Sequence, residues 1–297
     1  MATTIKNTYI KEAISATIFN YISKASEELG LQSYVIGGFV RDYILQRGTA
    51  KDIDIVTIGS GIELAQKVAQ ILPNKPKVQI FKTYGTAMLR YKDIEIEFVG
   101  ARKESYTEES RNPSVSEGTL QDDQNRRDFT INALALSLNT ADFGLLLDPF
   151  NGVEDLVSKT LKTPLDPDIT YSDDPLRMMR AIRFASQLNF TIEKNSLAAI
   201  AKNADRLKII TKERIVDELQ KIMQSEKPSI GFLLLEKTAL LPLILPELMA
   251  LKGVEEVEGQ KHKDNFYHTL EVLDNISKNT EDVWLRWAAL LCFSWVV

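Results

Sequence analysis

YVIGGFVRDYILQRGTAKDIDIVTI, residues 34–58, decides the fold. Tyr34, Val35 and Ile36 are aromatic or β-branched and read as a short buried strand. Gly37-Gly38 follows, where backbone turns sharply or lets another group come close. Phe39 to Gln46 reads as one or two helical turns carrying Arg41 and Asp42. Lys51 to Ile58 alternates strictly between polar and apolar, the pattern of a half-buried strand. Side chains two apart on a strand share a face, so Asp52 and Asp54 point one way while Ile53 and Ile55 point into the core. Two such carboxylates repel each other at neutral pH, and a hard divalent cation such as Mg²⁺ relieves the repulsion.

On the N-terminal side, apolar residues at three- and four-residue spacing (Ile10, Ala13, Ile14, Ile18, Tyr21, Ile22) predict a helix over residues 5–30, with Gly30 as its C-cap. On the other side, Ile62 to Leu72 reads as a second helix stopped by Pro73 and Pro76. Val78–Phe81, Thr86–Tyr91 and Asp93–Val99 read as strands, with Glu95 and Glu97 on one face of the last. Residues 103–124 have no periodicity and are rich in Ser, Glu, Asn, Pro and Gly, which predicts a long functional or disordered loop. Arg126 to Ala133, RRDFTINA, is read as opening a helix, with Asp128 and Thr130 suiting an anion-attracting N-terminus. Asp148-Pro-Phe-Asn-Gly152 reads as a turn before another helix.

From about residue 170 the pattern is helical throughout. Ser172 to Asp174 offer an N-cap with Pro175 at the first helical position. Asp174, Arg177, Arg180 and Arg183 then step by three and share a stripe, while Leu176, Met179 and Ile182 fill the buried side. Phe232 to Leu251 is apolar, yet Glu236, Lys237, Pro242, Pro246 and Glu247 break it, so it reads as a pair of buried helices and not a membrane span.

The composition is that of an ordinary globular protein, with 44% hydrophobic and 26% charged residues in 297. One cysteine, Cys292, excludes a disulfide framework and a cysteine zinc site, and it fits a cytoplasmic protein. The net charge of −5 argues mildly against a nucleic-acid partner, but residues 170–214 carry more Lys and Arg than Asp and Glu. The first residues lack a secretory apolar core.

Gly37-Gly38-x-x-Arg41-Asp42 ahead of the Asp52-x-Asp54 strand resembles the head of the DNA polymerase β-like nucleotidyltransferases. More narrowly, it resembles the class II tRNA nucleotidyltransferase (CCA-adding enzyme) and bacterial poly(A) polymerase family. RRDFTINA matches that family's second motif and DPFNG, with Asp155-Leu156 downstream, its third. Residues 171–184, YSDDPLRMMRAIRF, match its amino-acid template motif, and Thr211 to Lys221 match the fifth, with Arg214 and Glu218 as charged signature.

The resemblance implies an α+β fold: a head with a mixed five-stranded sheet over residues 1–155, a helical neck over 156–225, and a helical body with a shortened HD-like segment over 226–297. It implies two Mg²⁺ ions held by Asp52 and Asp54, with Glu97 as third catalytic carboxylate. Gly37, Gly38, Arg41, Arg127, Asp128 and Asn132 would bind the nucleotide, and Asp174, Arg177, Arg180 and Arg183 would select it. Cytosine and adenine both present an exocyclic amine beside a ring nitrogen, so Asp174 can accept from the amine while Arg177 donates to the ring. Guanine and uracil place a carbonyl oxygen against the carboxylate instead. The implied partners are CTP, ATP and the tRNA 3′ end, with no membrane. A poly(A) polymerase or a CC- or A-only enzyme shares these motifs, and a non-enzymatic RNA-binding protein is the third reading.

Lys261 to Asp274 resembles the start of an HD-type domain, but Cys292-Phe293 stands where its His-Asp pair would be. His262 and His268 therefore read as ordinary residues. Trp284, Trp287, Phe293, Trp295, Val296 and Val297 are expected to form an apolar terminal helix packing on the body or another subunit.

Overall fold

β1 (Gln32–Ile36) and β2 (Asp52–Ile58), the strands expected from the opening stretch, are antiparallel neighbours in one sheet, with Ile36 opposite Asp54. The computed structural model describes residues 8–48, 51–107, 110–253, 256–257, 260–261 and 264–292. Two compact units divide the chain, one of Met1–Tyr106 with Pro113–Ser158 and one of Lys159–Val297 with Thr107–Asn112.

In the first unit, β3 (Val78–Phe81), β4 (Thr86–Tyr91) and β5 (Ile94–Gly100) form where the alternation predicts them. β5 joins the parallel side of β2, pairing Asp52 with Glu95 and Asp54 with Glu97. β6 (Arg102–Thr107) and β7 (Ser110–Glu117) make a separate two-stranded sheet. β8 (Ala135–Ser137) and β9 (Leu146–Leu147) extend the main sheet beyond β1, in the order β3-β4-β5-β2-β1-β8-β9. The sheet is mixed as expected, but it has seven strands where five were expected. The two additions span three and two residues, too short for alternation to reveal them.

Helices α1 (Thr17–Leu29), α2 (Gly38–Ile44) and α3 (Gly61–Ile71) correspond to predicted segments. The first predicted helix is broken, however. Lys11–Ile14 forms a 3₁₀ turn, and α1 begins only at Thr17 and ends at Gly30 with φ +66°. Ile53, Ile55 and Phe98 are buried together with Leu64, Ala65 and Val68 of α3. On the opposite face Tyr34, Ile36, Val56, Ala101 and Ala135 form a second apolar cluster, joined by Ile58, Leu120 and Leu147.

The predicted loop over residues 103–124 is instead β6, β7 and α4 (Leu120–Asn125). These strands hold few apolar residues, so they show no apolar alternation. α4 is started by a capping box in which Thr119 and Asp122 satisfy each other's backbone N–H groups. RRDFTINA does not open a helix: Thr130–Asn132 is one 3₁₀ turn. Phe129, Ile131 and Ala133 to Leu136 are all buried, and the chain goes on to pair with β1 as β8. α5 (Gly152–Val157) follows the Asp148 turn, whose carboxylate accepts the N–H groups of Gly152 and Val153 at 2.7 and 3.0 Å. A Cβ on Gly152 would lie 2.5 Å from the Thr130 carbonyl oxygen, so this glycine lets the third motif close on the second.

In the second unit, β10 (Thr160–Leu161) pairs in parallel with β11 (Thr191–Ile192), so the region is not purely helical. α6 (Pro167–Asp173) stops at Asp174, and α7 (Leu176–Leu188) begins after Pro175. Pro175 is thus the cap and not the first helical residue, because the residue before a proline resists helical geometry and ends α6. α8 (Lys194–Asn203) and α9 (Lys212–Met223) follow, and α9 packs on α7. The predicted helix pair over 232–251 is three pieces, α10 (Ser229–Lys237), α11 (Leu241–Ile244) and α12 (Pro246–Ala250), since Pro242 and Pro246 each restart the chain. β12 (Glu256–Val257) pairs with β13 (Gln260–Lys261), then α13 (Asn265–Ser277) and α14 (Val283–Cys292) close the described chain. Among the described residues no helix is long and apolar enough to cross a membrane.

Arg286 of α14 is only 4% exposed. It donates to the carbonyls of Met223 (2.7 Å), Ser225 (2.9 Å), Ser277 (3.0 Å) and Thr280 (2.8 Å). These carbonyls lie at the C-terminal ends of α9 and α13, where the helix dipoles favour a cation. Trp284 is exposed. His262, Phe293, Trp295, Val296 and Val297 lie outside the described residues.

Candidate active site

The face of β2 that carries the aspartates runs from solvent into the core. Asp52 is exposed, Asp54 half-buried and Val56 fully buried. Loss of water is the main cause that raises the Asp54 carboxyl above its ordinary pKa; Arg127 opposes it, while Asp52 and Asp123 add to it. Glu97, the register partner of Asp54, is raised first by loss of water and then by the charge of Asp54, against Thr86 and Arg102.

β1 ends in a turn at Gly37, whose φ of +84° is one that glycine adopts without strain. Its N–H donates to the Leu134 carbonyl at 3.0 Å, which ties the turn to the segment after RRDFTINA. A Cβ there would lie 3.0 Å from Arg127 Nη1 and 3.7 Å from both Asp54 Oδ2 and the Asn132 carbonyl. The missing side chain leaves a notch with a guanidinium on one side and a carboxylate on the other. Gly38 opens α2, and Arg41 on that helix binds Asp42 through Nε and Nη2 (2.9 and 2.8 Å) and donates from Nη1 to Asn132 Oδ1 at 2.7 Å. Asn132 Nδ2 in turn donates to Asp128 Oδ1 at 2.9 Å, and that oxygen also accepts the Phe129 N–H. Asp128 thus tightens its own turn in place of capping a helix.

Gly37, Gly38, Arg41, Asp52, Asp54, Glu97, Arg127, Asp128 and Asn132 all belong to the first unit. Among the described residues no group of three or more His, Cys, Asp or Glu is gathered into a metal cage. The donors are instead hard carboxylates sharing one sheet face. That set fits Mg²⁺, which takes one or two carboxylates and completes its shell with phosphate oxygens and water.

Asp174, Arg177, Arg180 and Arg183 belong to the second unit. Asp174 Oδ1 accepts the Leu176 N–H at 3.2 Å, so this carboxylate starts α7. Arg177 is only 9% exposed and is not part of a solvated stripe. Arg183 Nε lies 2.9 Å from Glu218 Oε2, an ion pair joining the fourth motif to the fifth, and its guanidinium covers the Phe184 ring at 4.2 Å. Arg180 lies farther out over the same ring, at 5.6 Å.

Asp123 was missed because it falls in the segment read as loop. It is 0% exposed, and its two oxygens face Arg126 and Arg127. The signal was there, in the Thr119-x-x-Asp122 capping box and the four-residue step from Asp123 to Arg127.

Comparison with known proteins matches residues 33–162 to the family described as "Poly A polymerase head domain". Residues 189–252 match "Probable RNA and SrmB- binding site of polymerase A". An A-adding tRNA nucleotidyltransferase of Aquifex aeolicus is 37% identical over 199 residues, 66% of this chain and 24% of its own length. A CCA-adding enzyme of Anoxybacillus flavithermus is 38% identical over 225 residues, 75% of this chain and 54% of its own. The chain thus spans about half or less of these relatives' length. A crystal structure of a tRNA nucleotidyltransferase with primer tRNA and an ATP analogue superposes with TM-score 0.69 at 28% identity, covering 91% of this chain and 75% of the other.

Proposed function

Since the chain belongs to the family of CCA-adding tRNA nucleotidyltransferases and poly(A) polymerases, we propose that it adds CMP and AMP, from CTP and ATP, to the 3′ end of tRNA. The observation that carries this reading is the notch at Gly37, where Arg127 Nη1 and Asp54 Oδ2 both come within 4 Å of the missing Cβ, with Glu97 the register partner of Asp54 on the next strand. An anionic nucleotide needs a cationic donor that is already fixed, and a triphosphate brought against carboxylates needs a divalent ion between them. Two Mg²⁺ ions, when bound, would lower the pKa of the RNA 3′-hydroxyl and offset the charge of the departing pyrophosphate.

The chain's own residues have separable tasks in this reading. Asp52 and Asp54 hold the ions, and Glu97 adds the third carboxylate. Gly37 and Gly38 let backbone approach the triphosphate, and Arg41, fixed by Asp42 and Asn132, adds positive charge. Arg127, Asp128 and Asn132 contact phosphate and ribose. Asp174 and Arg177 choose the base, Asp174 accepting from the amine that CTP and ATP share. Arg183, engaged with Glu218, serves chiefly to hold α7 on α9.

Relatives that differ in the tail they add keep A-only addition as a second reading. The experiment offers each nucleoside triphosphate separately to tRNA transcripts ending before, within and after CCA. The full reading expects CMP on transcripts lacking CCA and AMP on those ending in CC, with UTP and GTP rejected. AMP on CC ends alone selects the second reading, and no incorporation on any transcript overturns both.

A further inference from the structure

We infer that Asp123 is a positioning residue for the nucleotide: it holds the Arg127 guanidinium at the Gly37 notch and keeps it from closing onto Asp54. The inference rests on the nucleotidyl-transfer reading of the site. Asp123 sits on α4 with its side chain fully buried, and its two oxygens are divided. Oδ1 accepts from Arg126 Nε at 2.9 Å, and Oδ2 accepts from Arg127 Nε at 3.2 Å and Nη2 at 3.1 Å.

This division fixes which edge of Arg127 is occupied. Nε and Nη2 face Asp123, so Nη1 is left toward the notch, steadied by the Asn132 carbonyl at 3.4 Å. Nη1 carries two N–H groups, and one carbonyl satisfies one of them. Asp54 Oδ2 borders the same small space, with both atoms within 4 Å of where a Gly37 Cβ would stand. A guanidinium and a carboxylate that close attract each other strongly in a partly dehydrated setting. Without a competing anion behind it, Arg127 would pair with Asp54 and fill the notch with the protein's own charges. Asp123 is that competing anion.

The two arginines are not equivalent. Arg126 has a second carboxylate, Glu104, which is nearly buried and lies 3.4 Å from its Nη1 and 2.8 Å from Arg102. Loss of Asp123 therefore leaves Arg126 with a partner in place, and the disturbance falls on Arg127.

The test measures equilibrium binding of CTP to the full chain without RNA, together with KM and kcat for CMP addition and the melting temperature. Asp123→Asn is expected to weaken CTP about tenfold in both Kd and KM, the loss of one charge-assisted contact, with kcat changed about threefold or less. Arg126→Leu is expected to leave Kd within about twofold, because the Asp123–Arg127 pair survives. In an Arg127→Gln background, Asp123→Asn is expected to add less than about twofold, since its effect runs through Arg127. An Asp123→Asn protein that binds CTP like the parent overturns the inference. So does an effect that persists in full without Arg127, or one that Arg126→Leu reproduces. Should Asp123→Asn fail to fold, Asp123→Glu, which keeps the charge and moves it by one methylene, is judged by the same three comparisons. A parent chain that neither binds CTP nor transfers CMP overturns the nucleotidyl-transfer reading itself, and the inference with it.

Discussion

Asp54 on β2 is the register partner of Glu97 on β5, and both carboxyls are held above their ordinary pKa, chiefly by loss of water. Each therefore binds a proton more readily in the folded chain than in the unfolded one. By linkage their contribution to stability is fullest below the ordinary carboxylate pKa and is lost as pH rises through the raised one. At neutral pH without metal, the site strains the fold.

Asp54→Asn should remove that strain. In EDTA at pH 7 we expect its melting temperature to exceed the parent's by about 2 °C, with the gap closing as pH falls toward 4. The same variant should lose at least about 10³-fold in nucleotide incorporation. A variant that melts lower than the parent at pH 7 would contradict the electrostatic account, and one that stays active would contradict the metal assignment.

Asp174→Ala should relax base choice by about 10²-fold or more against UTP and GTP while lowering CTP turnover less. It also removes the acceptor for the Leu176 N–H, so a loss of about 1 kcal/mol in stability is expected beside it. Arg177→Ala should weaken CTP and ATP together. Unchanged exclusion of UTP by folded Asp174→Ala would refute its role as selector.

Gly152→Ala should destabilise the first unit by about 1–3 kcal/mol, because its Cβ would meet the Thr130 carbonyl at 2.5 Å and neither backbone segment can yield cheaply. Urea unfolding measures this. A midpoint equal to the parent's would mean that the third motif does not clamp the second.

Arg286→Lys should cost about 2–4 kcal/mol, since an ammonium cannot reach the four carbonyls that the guanidinium fork spans. Hydrogen exchange offers a local check: amides in the last turns of α9 and α13 should lose protection first.

The elements legible in the sequence were those that bury one face. β1 is legible from its aromatic and β-branched residues, and β2 and β5 from alternation. Parity puts Asp52 with Asp54 on one face and Glu95 with Glu97 on one face, while the resemblance, not parity, implied that Glu97 joins the aspartates. β6 and β7 hold few apolar residues and gave no such signal. Ala133 to Leu136 is a short apolar run, which does not distinguish a strand from a helix, and the fold places Ala135–Ser137 in β8, the second neighbour of β1. Arg286 could not be foreseen, because its partners are backbone carbonyls and any sequence supplies those.

The pairing of β1 with β8 also has a consequence in time. β1 ends at Ile36 and its second neighbour begins at Ala135, about a hundred residues later. On a translating ribosome that separation is roughly 5–20 s of synthesis. For that interval Tyr34, Val35 and Ile36 present one unpaired backbone edge of an apolar strand, a surface that other nascent chains can pair with. The strand beside the Asp52–Asp54 strand is thus made early but sealed late. Chaperone capture of ribosome-bound chains should peak after β5 emerges and fall once Ser137 clears the exit tunnel.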